Sequence, residues 1–172
     1  MSTLKTITVD GFYSQEQAIQ LRNTVWNLPF KESQMGKEIE NFNLVPADAN
    51  TLFSNVLRIP VEVDEDRSGV FRFPILCTHF EEFDGVNEWC FAVALSASTF
   101  NLFKHIDKDS TVHGTSDATT ALEGYKFNYK NLFEWDVTVN YLLEPGQGIF
   151  FRPWLFHSFD SGLIQMFRLK EV

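Results

Sequence analysis

The chain has 172 residues, 44% of them hydrophobic, and a formal net charge of −9. This composition indicates one globular domain over residues 1–172 and excludes a disordered chain, which could not bury enough apolar surface to offset its ordering entropy. The acidic balance argues against nucleic acid and anionic membranes as partners, because both are bound through Lys and Arg.

The first predicted elements are a short strand at 7–9 and a helix over 14–28. Ser14 and Gln17 have the spacing of a capping box at the helix start, and Pro29 ends the helix. An apolar stripe with helical spacing predicts the buried face: Ala18, Leu21, Val25 and Leu28. The first residues carry no signal-peptide stretch, and no run reaches membrane-spanning length. We therefore expect a cytoplasmic protein.

Beyond a polar stretch over 31–50, the pattern is mostly that of β-strands. Short apolar or alternating runs predict strands at 70–77, 89–95 and 99–106. Residues 108–130 are rich in Ser, Thr, Asp and Gly and predict a long loop. The two cysteines, Cys77 and Cys90, lie among apolar residues, which favours buried thiols over a disulfide framework.

The C-terminal third shows the clearest alternation. Apolar and polar residues alternate over 135–144, and "EPGQG" predicts a turn into a strand at 148–151. Two more strands are predicted at 155–159 and 162–169. One helix followed by many short strands predicts an α+β, mainly β domain built as an antiparallel sandwich or barrel.

Two residues at the end of one predicted strand raise the question of a metal site. His105 and Asp107 share a strand face, so an imidazole nitrogen and a carboxylate oxygen can take adjacent positions on one metal ion. A second His from a neighbouring strand would complete a 2-His-1-carboxylate site of the kind that suits non-haem Fe(II). Alone the pair is a weak signal, and a polar strand end with an exposed Asp is the more common explanation.

Two further residues have a spacing that supports a site. His157 lies in the largely apolar run "RPWLFHSF", 52 residues after His105, and Arg168 follows 11 residues later. On a strand, Arg168 shares a face with Ile164 and Met166, and the opposite face is also apolar. A buried guanidinium requires an anion, and a bidentate carboxylate is a natural partner.

The order His105-Ile106-Asp107, His157, Arg168 resembles the pattern of the Fe(II)- and 2-oxoglutarate-dependent oxygenases, particularly the prolyl-hydroxylase-like members. Residues 9–30 look like the strand, helix and loop that precede the barrel in that family. Residues 144–159 look like the turn and strand that lead to the distal His. The resemblance spans most of the chain and is weakest over 31–90.

The resemblance implies a double-stranded β-helix, a jelly-roll or cupin-like barrel, with the N-terminal helix packed on it. It implies that His105, Asp107 and His157 bind Fe(II) and that Arg168 holds the distal carboxylate of 2-oxoglutarate. Molecular oxygen would be consumed, and a peptide side chain or a small molecule would be hydroxylated. Two positions depart from the pattern: Lys170 stands where many relatives have a small hydroxyl residue, and Arg152 where we expect a neutral one.

Other interpretations stay open at this point. A different keto-acid and a lost activity are compatible with the departures. A cupin-like barrel that binds metal without 2-oxoglutarate would not need Arg168, and a jelly-roll binding module would carry only a relic site. His79 and Glu81 form a rival pair, although their spacing to His157 is long, and His113 is interpreted as a loop residue. Residues 108–134 are a hypothetical lid over the barrel mouth.

Overall fold

A computed structural model describes residues 6–33, 36–40, 45–73, 88–106, 135–160 and 162–172. The predicted loop at 108–130, Cys77 and the end of the strand predicted at 70–77 lie outside these ranges. The helices are α1 (Gln15–Trp26) and α2 (Ala49–Leu57). The strands are β1 (Thr6–Val9), β2 (Lys31–Ser33), β3 (Gly36–Glu40), β4 (Val61–Phe73), β5 (Trp89–Ala94), β6 (Ser98–His105), β7 (Trp135–Leu143), β8 (Gly148–Phe151), β9 (His157–Asp160) and β10 (Gly162–Glu171).

The strands form two antiparallel sheets, so the prediction of a mainly β domain is confirmed. The large sheet has the order β1-β8-β5-β10-β4-β3-β2, and the small sheet has the order β7-β6-β9. Strands β8 and β9 are joined by a short turn, yet they belong to different sheets. The chain therefore crosses from one sheet to the other immediately before His157.

An apolar interior separates the two sheets. Ile164 and Met166 of the large sheet pack in one buried cluster with Phe100, Leu102 and Phe159 of the small sheet. We call the faces that meet in this cluster the inner faces of the sheets. Strand β10 lies in the middle of the large sheet, between β5 and β4, and the inner face is therefore the natural place for a buried site.

The outer face of the large sheet is covered by both helices. Phe53 of α2 is fully buried there and lies within 5.6 Å, ring centroid to centroid, of four other aromatic rings. These rings belong to Phe12, Phe91, Phe150 and Phe167. Five of the 18 Phe residues thus pack together in the core between α2 and the large sheet. Neither of the described helices combines the length and apolar character needed to cross a bilayer.

The start of α1 follows its sequence signature. The Gln17 amide donates to Ser14 Oγ at 3.1 Å, and the Ser14 amide donates to Gln17 Oε1 at 2.9 Å. The predicted capping box is therefore confirmed. Ala18 and Val25 are fully buried, whereas Leu28 lies beyond the last helical residue and is partly exposed.

The predicted "EPGQG" turn ties α1 to the sheet. Gly146 has a φ of 94°, a left-handed conformation that favours glycine, and its carbonyl accepts a hydrogen bond from the Tyr13 amide at 3.2 Å. The Tyr13 hydroxyl in turn donates to Gln165 Oε1 at 2.8 Å. Burial raises the pKa of this hydroxyl, with the Gln165 bond partly offsetting it. Tyr13 therefore remains a neutral donor.

Three features differ from the sequence prediction. The polar stretch contains β2 and β3, α2 was not predicted, and the strand predicted from residue 70 begins at Val61. The C-terminal end of this helix lacks the usual sequence signal, because Arg58 ends it with a φ of 58° where glycine is usual. At the other end Asp48 is a favoured N-cap residue type, but it makes no side-chain capping bond. Within β7, Tyr141 is exposed although the alternation over 135–144 places it among the apolar positions.

The aromatic layer predicts a large effect of one truncation. We expect Phe53→Ala to lower the free energy of unfolding by about 3–5 kcal/mol, because it leaves a cavity among four rings. Urea denaturation followed by circular dichroism measures this change. The control is Leu142→Ala, whose side chain is 63% exposed and whose effect should stay within about 0.5 kcal/mol. Equal effects of the two variants would contradict the packing described.

Candidate active site

His157 is the first residue of β9, and its side chain lies between the two sheets. It is fully buried, its backbone pairs with Leu102 of β6, and its ring centroid lies 4.5 Å from that of Phe151. Phe100 lies on another side, with centroids 6.1 Å apart. The imidazole therefore projects from the small sheet onto an inner-face residue of the large sheet.

The hydrogen bond at one ring nitrogen fixes the tautomer of this His. Nδ1 of His157 lies 2.7 Å from the carbonyl oxygen of Leu155. Because a carbonyl can only accept, Nδ1 carries the proton, and the neutral ring has its lone pair on Nε2. Metal-binding His residues are commonly oriented in this way by a backbone carbonyl. The described geometry of His157 thus fits a metal ligand.

Of the other two predicted ligands, the described residues include the backbone of His105 and no part of Asp107. His105 is the last residue of β6, opposite Trp135 of β7, but its side chain and all of Asp107 lie outside the described residues. The rival pair His79 and Glu81, together with His113 and the predicted lid, also lies outside. Within the described ranges, no three His, Cys, Asp or Glu side chains are grouped so that they could hold a metal ion. The three-ligand site therefore stays a prediction.

Arg168 lies where its predicted strand face puts it. It belongs to β10 and is only 4% exposed, and alternation places it on the inner face with Ile164 and Met166. Cys90 of β5 pairs with Arg168 on one side and with Phe151 of β8 on the other. Two strand spacings, about 10 Å, therefore separate the backbones of Arg168 and Phe151.

His157 and Arg168 thus approach the same interior from opposite sheets. His157 contacts Phe151. Phe151 pairs with Cys90, and Cys90 in turn pairs with Arg168, so the three residues lie side by side across the large sheet. The surrounding side chains are apolar, so charges here are screened weakly.

The anion that Arg168 requires is supplied by the chain itself. Arg168 Nη2 donates to Glu88 Oε2 at 3.0 Å, and both side chains are at least nine-tenths buried. Arg67 Nη2 donates to the other oxygen, Glu88 Oε1, at 2.9 Å. The sequence analysis missed Glu88. The signal that identifies it is strand alternation, because residue 88 shares a face with Cys90 when β5 is extended by one residue.

An irregularity in β4 brings Arg67 to this carboxylate. Asp64 pairs with Arg168, and Gly69 pairs with Met166, so four residues of β4 bulge out opposite a single residue of β10. Ser68, within the bulge, accepts the Arg168 amide at 3.0 Å and donates to the Asp64 carbonyl at 2.7 Å. The side-chain hydroxyl thereby replaces the missing ladder bond.

The charges of the bulge reinforce one another. Arg67 also pairs with Asp64 at 2.9 Å. Burial alone would lower the pKa of Arg67, but Glu88 and Asp64 outweigh it and raise the pKa. Burial likewise acts to raise the pKa of Asp64, and the bond to Arg67 lowers it. Three ion pairs therefore form one linked network that joins Asp64, Arg67, Glu88 and Arg168.

Arg152, the departure noted in the sequence, lies on the other side of Glu88. Its Nη1 donates to the Glu88 carbonyl at 3.0 Å, and its guanidinium carbon lies 3.7 Å from the ring centroid of Trp89. Trp89 packs in the outer core. Burial lowers the pKa of Arg152 to about 10, and Glu171 partly opposes this shift. Arg152 thus fixes the backbone before β5 from the outer face.

Comparisons with known proteins identify relatives of this fold. No protein-family model matches the chain, and no curated protein matches it in sequence. Solved structures do match. HygX from Streptomyces hygroscopicus, solved with nickel and 2-oxoglutarate bound, has a TM-score of 0.63 at 9% identity, covering 98% of this chain and 83% of HygX.

Two enzymes of nogalamycin biosynthesis match in the same way. The non-haem α-ketoglutarate-dependent epimerase SnoN has a TM-score of 0.64 at 12% identity, covering 97% of this chain and 78% of SnoN. The carbocyclase SnoK has a TM-score of 0.58 at 11% identity, covering 96% of this chain and 78% of SnoK. The chain therefore has the fold of HygX, SnoN and SnoK along nearly its whole length.

The buried ion pair predicts a stability effect that an exposed pair does not share. We expect Glu88→Gln to cost about 3–5 kcal/mol, because it leaves Arg168 buried without its carboxylate. The control is Glu62→Gln on β4, which breaks the exposed pair with Lys170 at 3.2 Å and should cost less than about 1 kcal/mol. Urea unfolding at pH 7 compares the two. A cost for Glu88→Gln no greater than the control would show that Arg168 has another sufficient anion.

Proposed function

We propose that this chain is a non-haem Fe(II)- and 2-oxoglutarate-dependent oxygenase whose two sheets form a double-stranded β-helix. The observation that carries the proposal is that His157 and Arg168 face one apolar interior from opposite sheets. The fold shared with HygX, SnoN and SnoK supports it, since HygX was solved with 2-oxoglutarate and SnoN and SnoK depend on it. The prolyl-hydroxylase-like subtype is part of this proposal and rests on the His-x-Asp, His, Arg spacing.

His105, Asp107 and His157 are the proposed Fe(II) ligands. His157 supports this role because its Nδ1–H is held by the Leu155 carbonyl, which leaves Nε2 in the state that binds a cation. Two imidazoles and one carboxylate leave open positions on the metal for a co-substrate and oxygen. When bound, Fe(II) and 2-oxoglutarate would supply the chemistry that activates molecular oxygen: one oxygen atom would enter a C–H bond of the substrate, and the other would enter the succinate formed from 2-oxoglutarate as carbon dioxide is lost.

Arg168 is the proposed partner of the distal carboxylate of 2-oxoglutarate, and Glu88 makes the exchange possible. Glu88 holds Arg168 with one oxygen and Arg67 with the other. An incoming carboxylate can therefore take over Arg168 while Glu88 stays neutralised by Arg67. The guanidinium is charged throughout, so no charge is left buried without a partner.

The remaining tasks of the chain are orientation and exclusion of water. Phe151 and Phe100 pack against the His157 ring and limit its rotation, while Ser68 fixes the Arg168 backbone. The buried apolar residues between the sheets keep bulk water from the reacting centre, which strengthens every charge interaction there.

The proposed substrate is a small molecule, with a peptide side chain as the alternative. HygX has been solved with hygromycin B bound and SnoN with nogalamycin RO. Both are small molecules, and this supports the first choice. Hydroxylation is the proposed reaction.

One observation favours a second candidate function. Because Glu88 already neutralises Arg168, a cupin-like barrel that binds metal without 2-oxoglutarate fits the described residues too. In that case Arg168 is structural, and 2-oxoglutarate has no effect on the bound metal.

The first test is an anaerobic titration of the metal-free protein with Fe(II) and then 2-oxoglutarate. We expect the weak visible charge-transfer band of a chelated keto-acid, and we expect it to disappear in His157→Ala and His157→Gln, which remove the Nε2 ligand. The control is His79→Ala, which removes the rival His and should keep the band. Fe(II) binding without a band would favour the cupin-like alternative, and no Fe(II) binding would leave a non-catalytic module.

The second test asks whether Glu88 competes with the co-substrate. We expect Glu88→Gln to bind 2-oxoglutarate about tenfold more tightly, because a carboxylate no longer has to be displaced from Arg168; tenfold corresponds to about 1.4 kcal/mol. Calorimetry with Fe(II) replaced by a redox-inert metal measures the affinity, and Glu62→Gln should leave it unchanged. Weaker binding in Glu88→Gln would mean that Glu88 positions Arg168 for the ligand instead of competing with it.

A further inference from the structure

A cavity lies on the outer face of the large sheet, beside the C-terminal half of α1. Its volume is about 600 Å³, and it is lined by Arg22 and Trp26 of α1, Arg72 of β4 and Leu163 of β10. Leu163 packs in the outer cluster with Val25 of α1, whereas the next residue, Ile164, packs in the interior. The large sheet therefore separates this cavity from His157.

Arg72 is held in the cavity by aromatic rings. Its guanidinium carbon lies 3.8 Å from the ring centroid of Trp26 and 5.2 Å from that of Phe30. Stacking of this kind occupies the flat face of a guanidinium, while its N–H donors lie in the plane and point sideways. Arg72 Nε is buried and has no hydrogen-bond partner within the described residues. A buried donor in this state favours an acceptor.

Arg22 and Arg72 are partly buried and differ from Arg67 and Arg168 in their charge partners. Arg67 and Arg168 each have a carboxylate at 2.9–3.0 Å. Within the part of the chain that the structure describes, Arg22 and Arg72 have no carboxylate in salt-bridge range. In a chain with 23 acidic and 14 basic residues, two such arginines at one cavity produce a local positive potential.

The remaining lining indicates what else a ligand would contact. Trp26 is 55% exposed, so part of its indole stays open beside the stacked Arg72. Asn23 and Ser96 add an amide and a hydroxyl at the rim. Oxygen atoms of an anion match the guanidinium donors, and a flat ring matches the exposed indole.

We propose that this cavity is a binding site for a small ligand in which an anionic oxygen group is attached to a flat ring. Arg22 and Arg72 bind the anion, and Trp26 stacks on the ring. Two guanidiniums favour a phosphate, which carries nearly two charges at pH 7, over a carboxylate. The site is separate from the proposed oxygenase centre and does not depend on it.

The test is a titration of the whole protein with phenyl phosphate, followed by calorimetry and tryptophan fluorescence. We expect saturable 1:1 binding that is tighter than the binding of benzoate, inorganic phosphate or benzyl alcohol. These three probes separate the contributions of charge, ring and their combination. Binding of inorganic phosphate as tight as that of phenyl phosphate would overturn the ring contact, and benzoate as tight as phenyl phosphate would overturn the preference for phosphate.

Variants locate the binding in the cavity. Arg22→Gln and Arg72→Gln should each weaken phenyl phosphate about tenfold or more, because each removes a charge-assisted hydrogen bond. Trp26→Leu should weaken phenyl phosphate more than inorganic phosphate, because the ring contact is lost only for phenyl phosphate, whereas the support that Trp26 gives Arg72 is lost for both. The control is Arg58→Gln, an exposed arginine that does not line the cavity.

The outcomes are decisive in either direction. No saturable binding of phenyl phosphate to the native protein overturns the proposal, and so does an equal loss in Arg58→Gln. If Arg72→Gln fails to fold by circular dichroism, Arg22→Gln decides alone, since Arg22 lies on the partly exposed side of α1. Unchanged affinity in a folded Arg22→Gln also overturns the proposal.

Discussion

The structure depends on a strand that is buried on both faces and still has to carry a charge. Strand β10 lies in the middle of the large sheet, and every residue from Leu163 to Leu169 is buried. Its outer face serves the helix-covered core and its inner face the space between the sheets. A strict two-residue period leaves one position, Arg168, where the inner face becomes polar. The surrounding polar structure follows from the need to accommodate that guanidinium.

The accommodation is distributed over three strands. Glu88 provides the negative charge, and the bulge of β4 brings Arg67 to the same carboxylate. Ser68 accepts a hydrogen bond from the Arg168 amide, which the bulge deprives of its strand partner. A single ion pair at this depth would offset its own desolvation poorly, whereas a carboxylate shared by two guanidiniums keeps both oxygens satisfied. This sharing would also allow Arg168 to exchange Glu88 for a ligand carboxylate, because Glu88 would keep its ion pair with Arg67.

Local signals in the sequence were sufficient for much of the fold. The capping box at Ser14, strand β7 and the glycine turn before β8 each depend on residues close together in the chain, and each was predicted. The burial of β7 does not follow its alternation, since Val137 and Tyr141 are exposed. Helix α2 was not, because no glycine marks its C-terminal end and Phe53 packs it on strands that are distant in the sequence. The face of Arg168 followed from its strand period. Its partner Glu88 did not, because the ion pair joins residues 80 apart and requires the β5–β10 register.

The first described strand has a consequence for the integrity of the fold. Strand β1 pairs along all four residues of β8 and forms one margin of the large sheet. Without it, β8 would present a row of unsatisfied amides and carbonyls beside fully buried aromatic side chains such as Phe150. Such a margin recruits strands from other molecules. Residues 6–9 therefore cover the edge of β8 and protect it from self-association, and we expect their loss to promote aggregation before it disturbs the interior between the sheets.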